Sequence, residues 1–104
     1  MKKTMFLIIF LISGSVYADT NLPPQTITKI ATGWDKEGIF LSFSEDIKVE
    51  GCADSRVRIE RDHPLKDDIL SIALSAFYAG KQVQVRVSGC IGAQHRGIAI
   101  SVLN

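Results

Sequence analysis

Apolar and polar residues alternate with a period of two in several short stretches of the chain, and one longer stretch departs from that period. Thr26 to Thr32 alternates around Ile27 and its threonines, and Gly38 to Ser44 places Ile39, Leu41 and Phe43 on one side, so both are expected as half-buried strands. Gly33-Trp34-Asp35-Lys36-Glu37 between them has the residue types of a hairpin connection. Arg56 to Arg61 sets Val57 and Ile59 against Arg56, Arg58 and Glu60, which predicts a third strand with a charged outer face. Gln82 to Ser88 aligns Val83, Val85 and Val87, and Gly97 to Leu103 aligns Ile98, Ile100 and Val102. These are the fourth and fifth strands, separated by a loop from Gly89 through Arg96.

The exception to the period lies between the third and fourth strands. Asp62-His63-Pro64 reads as a helix start, with Asp62 or His63 near the N-cap, Pro64 at the first helical position and Asp67 and Asp68 in the first turn. The helix is expected to run to Ala79 and stop at Gly80. Leu65, Ile69, Ile72, Ala73, Ala76 and Phe77 form one apolar stripe, and Leu70 and Leu74 widen it, leaving a narrow polar line through Asp68, Ser71, Ser75, Tyr78 and Gln82. A helix covering one end of a small sheet needs an apolar face of roughly 100°. This one is wider. It is either packed deeply under long polar neighbours or meets another subunit through Leu70, Leu74 and Tyr78.

The order strand, strand, strand, helix, strand, strand is that of an OB-fold, a five-stranded Greek-key barrel with a helix between its third and fourth strands. The expected class is therefore mainly β with one helix. A flat α+β sheet of the same order is the alternative. Residues 26–104 form this domain, preceded by an extended arm over 19–25 that contains Pro23-Pro24.

The first eighteen residues belong to a different pattern. Lys2 and Lys3 precede an unbroken apolar run from Met5 to Ile12, Ser13-Gly14-Ser15 lowers the hydrophobicity, and Val16-Tyr17-Ala18 ends on a small residue. This reads as a signal peptide cleaved after Ala18. A membrane anchor would need roughly 20 apolar residues. The expectation is export to the periplasm or the exterior without membrane insertion.

Composition matters after that step. The 104-residue chain has a formal charge of +1, and losing residues 1–18 removes two lysines and no acids, which leaves −1 on 86 residues. Neither value suits nucleic-acid binding, where phosphates are met by clustered Lys and Arg. Cys52 and Cys90 both remain, and an even number of cysteines in an exported chain points to a disulfide. Closing 38 residues stabilises by about 4 kcal/mol in the chain-entropy treatment. The core of so small a domain supplies only about 3–5 kcal/mol.

No arrangement of residues carries catalysis. Asp67 and Asp68 are adjacent on a helix and diverge by about 100°, His63 sits at a helix start, and no phosphate loop, zinc-type Cys/His spacing or nucleophile motif is present. The chain is read as a non-enzyme with no metal or cofactor. Candidate binding residues lie instead on the two loops that share an OB barrel's rim, Trp34, Asp35 and Lys36 on one and Gln94, His95 and Arg96 on the other. An indole covers the apolar face of a sugar while polar side chains meet its hydroxyls, and Arg96 or Lys36 suits a carboxylate. The opposing reading makes Trp34 a packing residue.

The helix sequence from Lys66 to Lys81 and the following Val83-Gln84-Val85-Arg86-Val87-Ser88-Gly89-Cys90 resemble the small binding subunits of AB-type toxins. They are most similar to the subtilase-cytotoxin and pertussis-like B-subunit group. The resemblance spans most of residues 26–104. It implies a homopentamer of OB-like barrels that binds host-cell glycans and carries a separate catalytic toxin subunit. No sugar-contacting residue is carried over from the family, so sugar specificity stays open. Two other classes compete with it: a periplasmic or secreted interaction protein, such as an enzyme inhibitor or envelope factor, and a nucleic-acid-binding OB domain.

Overall fold

The computed structural model describes residues 19–33 and 37–104, so the segment read as a signal peptide lies outside the described residues, as do Trp34, Asp35 and Lys36. Over the described residues the chain is mainly β with one helix. Its elements are β1 (Asp19–Asn21), β2 (Gln25–Thr32), β3 (Ile39–Phe43), β4 (Val57–Ile59), α1 (Lys66–Ala79), β5 (Gln82–Ile91) and β6 (Gln94–Val102). The six strands form one mixed sheet. β2 pairs with β3 and β3 with β4, all antiparallel, and β4 then pairs in parallel with β6. β6 pairs with β5, and β5 returns to β2, so the circuit of pairing closes on itself.

The expected strands recur, with two corrections that come from local geometry. Residues 19–25 are not a free arm. β1 pairs with β5, Leu22 is fully buried and donates its N–H to the Val85 carbonyl at 2.8 Å, and Gln25 already belongs to β2. Pro23-Pro24 interrupts the ladder without detaching the chain, because β1 and β2 lie against successive parts of the same neighbour, β5. The loop expected over 89–96 shrinks to Gly92-Ala93, since β5 runs to Ile91 and β6 starts at Gln94. Gly92 takes φ 63°, the positive value that a two-residue hairpin needs at its first central position.

Two bulges let these long strands stay paired. Ser88 and Gly89 together face Arg96, and Ile98 is an extra residue on β6. The inward series on β6 therefore runs His95, Gly97 and then Ile100, not Ile98, Ile100 and Val102; Val102 is 48% exposed.

The core joins Leu22, Ile27, Ile39, Leu41, Val57, Ile59, Val83, Val85 and Val87 of the strand region to Ile69, Ala73 and Ala76 of α1. Their alternation in sequence is the alternation of the pleat. The helix begins after a turn at 60–66 and not at Pro64, and no side chain caps its Leu65 N-terminus. The His63 ring instead takes the Leu65 N–H on Nδ1 at 3.0 Å. Its end is as expected: Gly80 adopts φ 68°, and the N–H groups of Lys81 and Gly80 return to the carbonyls of Ala76 and Phe77, the Schellman arrangement.

Candidate functional site

Cys52 and Cys90 are joined, with Cα atoms 5.6 Å apart, tying the loop before β4 to the end of β5. Beside that link, Asp54 organises the expected rim. Its carboxylate accepts the Arg56 main-chain N–H at 3.0 Å, the Arg56 Nε at 2.8 Å and the Gln94 amide at 3.4 Å, while its own N–H bonds the Ala93 carbonyl. The bond from the Arg56 side chain is the chief reason that its pKa falls to about 2; the Arg56 N–H and Gln94 assist, and partial desolvation opposes.

Of the six residues expected to bind a ligand, the three that are described do not present one surface. Trp34, Asp35 and Lys36 lie outside the described residues. Gln94 is engaged with Asp54, and Arg96 lies 3.6 Å from the Glu60 carboxylate. His95 is corrected outright: it is 0% exposed, its Nε2 accepts the Val49 N–H at 3.0 Å, and its Nδ1 stands 3.3 Å from the Arg56 carbonyl. It has no surface with which to touch a ligand. The physical reason is its register, since His95 stands opposite the buried Val57 in the parallel β4–β6 pair and so points inward.

Arg96, by the same rule, stands opposite Arg58, and Arg58 stands opposite Phe40 on β3. This outer row is compact. The Arg56 and Arg58 guanidinium groups lie 5.0 and 5.9 Å from the ring centre of Phe40, a residue only 4% exposed, and Arg58 Nε bonds the Glu37 carbonyl at 2.8 Å.

A different face holds a cavity of about 280 Å³, lined by Asn21, Gln84, Arg86, Ala99, Ile100 and Ser101. It follows from register. Asn21 is opposite Arg86, Arg86 opposite Ala99, and Gln84 opposite Ser101, so these positions share the outer surface of three neighbouring strands. The small side chains of Ala99 and Ser101 make the depression, and the longer Gln84 and Arg86 stand around it. Arg86 Nε is 3.7 Å from the Asp19 carboxylate. The volume is near the lower end of ~300–1,000 Å³ for small-molecule sites, which suits one ring more than an extended chain. Its polar groups supply a guanidinium for an anion, two amides and a hydroxyl.

Sequence reasoning missed this site. Alternation puts Gln84 and Arg86 on the outer face of their strand, but the arm expected over 19–25 gives Asn21 no place beside them, and only its pairing with β5 brings it alongside.

The helix positions expected at an interface divide. Leu70 is half-buried against the core, whereas Leu74 is 37% and Tyr78 82% exposed. Leu65 and Phe77, expected on the inner stripe, are instead exposed, because the small Ala73 and Ala76 are what the sheet accommodates. Phe77 and Tyr78 meet edge to face at 5.4 Å.

Among the described residues, no three His, Cys, Asp or Glu side chains converge as a metal site would require, and no helix is long and apolar enough to cross a membrane. In comparison with known proteins, no family model, no curated protein and no solved structure matches this chain.

Proposed function

We propose that this chain is an exported sugar-binding module that recognises one carboxylate-bearing sugar residue of a larger host glycan. The observation that carries the reading is the cavity between β1, β5 and β6, where Arg86 stands among Asn21, Gln84 and Ser101. A guanidinium takes a carboxylate through paired hydrogen bonds, and amides and hydroxyls exchange donors and acceptors with ring hydroxyls. Asp19 at 3.7 Å leaves the Arg86 pairing loose enough for an incoming carboxylate to compete.

We read the closed circuit of strands, with the helix between β4 and β5, as an OB-type barrel in which β1 and β2 act as one broken first strand. Leu74, Phe77 and Tyr78 supply an apolar strip that supports assembly of several copies. The full reading is a homopentamer that displays five such cavities and carries a separate catalytic toxin subunit. Weak single-ring sites gain strength from this arrangement, because linked sites rebind at high effective concentration.

The same strip favours a second reading, a periplasmic or secreted interaction protein that binds a protein partner through α1. One pair of measurements separates them. The oxidised protein lacking residues 1–18 is weighed in solution and applied to an array of neutral and acidic glycans. A pentamer retaining acidic glycans supports the first reading; a monomer retaining none sinks it and leaves the interaction protein.

A further inference from the structure

The element that brings Asn21 to the cavity, β1, is three residues long and lies beyond a Pro-Pro break, so its own ladder to β5 is short. A second attachment reinforces it. The Glu50 carboxylate accepts the Thr20 hydroxyl on Oε2 at 2.5 Å and the Gly89 main-chain N–H on Oε1. One side chain thus bridges β1 and β5 from the loop that precedes β4.

Each partner is available for a reason. Gly89 lies in the bulge where two residues of β5 oppose Arg96 alone, so its N–H is offered outside the regular ladder. Glu50 is the one residue other than glycine with positive φ among the described residues, at 57°, and Gly51 follows at 77°. A left-handed conformation is unfavourable for a side chain of this kind unless surrounding bonds hold it. The two carboxylate bonds do so, and the Cys52–Cys90 disulfide closes the same stretch of chain on the residue after Gly89.

We propose that Glu50 is a positioning residue for the cavity: it holds Thr20 against β5 and thereby keeps Asn21 beside Arg86. This rests on the sugar-binding reading for its consequence, although not for its geometry. Thr20 stands opposite Val87 and Asn21 opposite Arg86, so a β1 that lifts away removes one wall of the cavity and leaves Arg86 in place. A site competent in only a fraction of molecules binds more weakly by that fraction.

The test uses the oxidised protein and two readouts. Amide hydrogen exchange follows residues 19–22 against β2, β3 and β5, and calorimetric titration with glucuronic acid follows the cavity. In Thr20→Val, which removes only the hydroxyl, exchange at 19–22 is expected to rise about tenfold while the other strands keep their protection, and the Kd to rise roughly three- to tenfold. Glu50→Ala is expected to do the same or more, and Glu50→Gln, which keeps an acceptor for Gly89 and a partner for Thr20, to restore most of both. Unchanged exchange at 19–22 in both Thr20→Val and Glu50→Ala overturns the proposal. So does faster exchange throughout the sheet, which makes Glu50 a general structural support. Localised faster exchange together with no glucuronic acid binding by the wild type leaves the positioning role standing and counts against the sugar reading.

Discussion

The Nε2 atom of His95 accepts the main-chain N–H of Val49 at 3.0 Å, which places the single proton of the neutral imidazole on Nδ1, facing the Arg56 carbonyl at 3.3 Å. A fully buried histidine thus bonds the loop at Val49 on one side and faces the residue before β4 on the other. It does by hydrogen bonding what an aliphatic residue at this inward position cannot do.

His95→Ala therefore leaves the Val49 N–H without its acceptor and opens a void. The expected loss is about 2–4 kcal/mol, measured by urea denaturation of the oxidised protein, with ligand binding retained in the folded fraction. Loss of binding with unchanged stability would return His95 to the ligand face.

Asp54 gives the fold an acid-sensitive joint. Its folded pKa of about 2 lies below the ordinary 3.8, so the stabilisation is fully present above pH 3.8 and is lost as the pH falls from there through about 2. Because Asp54 is partly exposed, with 26% of its side-chain surface open, solvent screening reduces its worth to about 1 kcal/mol. Asp54→Asn should cost that amount at pH 6 and only a small part of it near pH 2, as read from denaturant midpoints of the two proteins at both pH values. A constant difference across the range would contradict the Asp54–Arg56 account.

Two glycines are close-approach points, and they should differ in cost. A Cβ on Gly97 would lie 2.5 Å from Ile59 Cδ1 and 2.6 Å from Val57 Cγ1, side-chain methyls that shift at a cost of about 1–3 kcal/mol. On Gly38 it would lie 2.2 Å from the Ile59 carbonyl oxygen, and φ is 96°, so the backbone itself must move. Thermal unfolding should rank Gly38→Ala below Gly97→Ala and both below the wild type.

What could be read from the sequence follows from which forces act locally. The period-two patterns of Ile39/Leu41, Val57/Ile59 and Val83/Val85/Val87 identified inward faces correctly, since the pleat alone decides them. Gly80 marked the helix end because few other residues take its left-handed conformation cheaply. Across Ile98 the pattern failed, because the bulge shifts the phase by one residue and no local signal reports it. His95 was misplaced because the glycine-containing stretch over 89–96 reads as a loop, whereas β5 and β6 continue to a two-residue turn. Asn21 was missed for another reason: pairing of residues 19–21 with 86–88 is a long-range contact, which alternation within either segment cannot reveal. The disulfide was accessible from residue count and the expected compartment, whereas the Glu50 bridge needed both Thr20 and the Gly89 bulge in place.

Calorimetric titration of wild type and Arg86→Gln with glucuronic acid and with glucose decides whether the β1–β5–β6 cavity takes a carboxylate-bearing sugar through Arg86. Wild type is expected to bind glucuronic acid and to bind glucose at least tenfold more weakly, and Arg86→Gln to lose this preference while its unfolding midpoint stays within the small range of a surface substitution. Equal affinity of wild type and Arg86→Gln for glucuronic acid would contradict this role of Arg86.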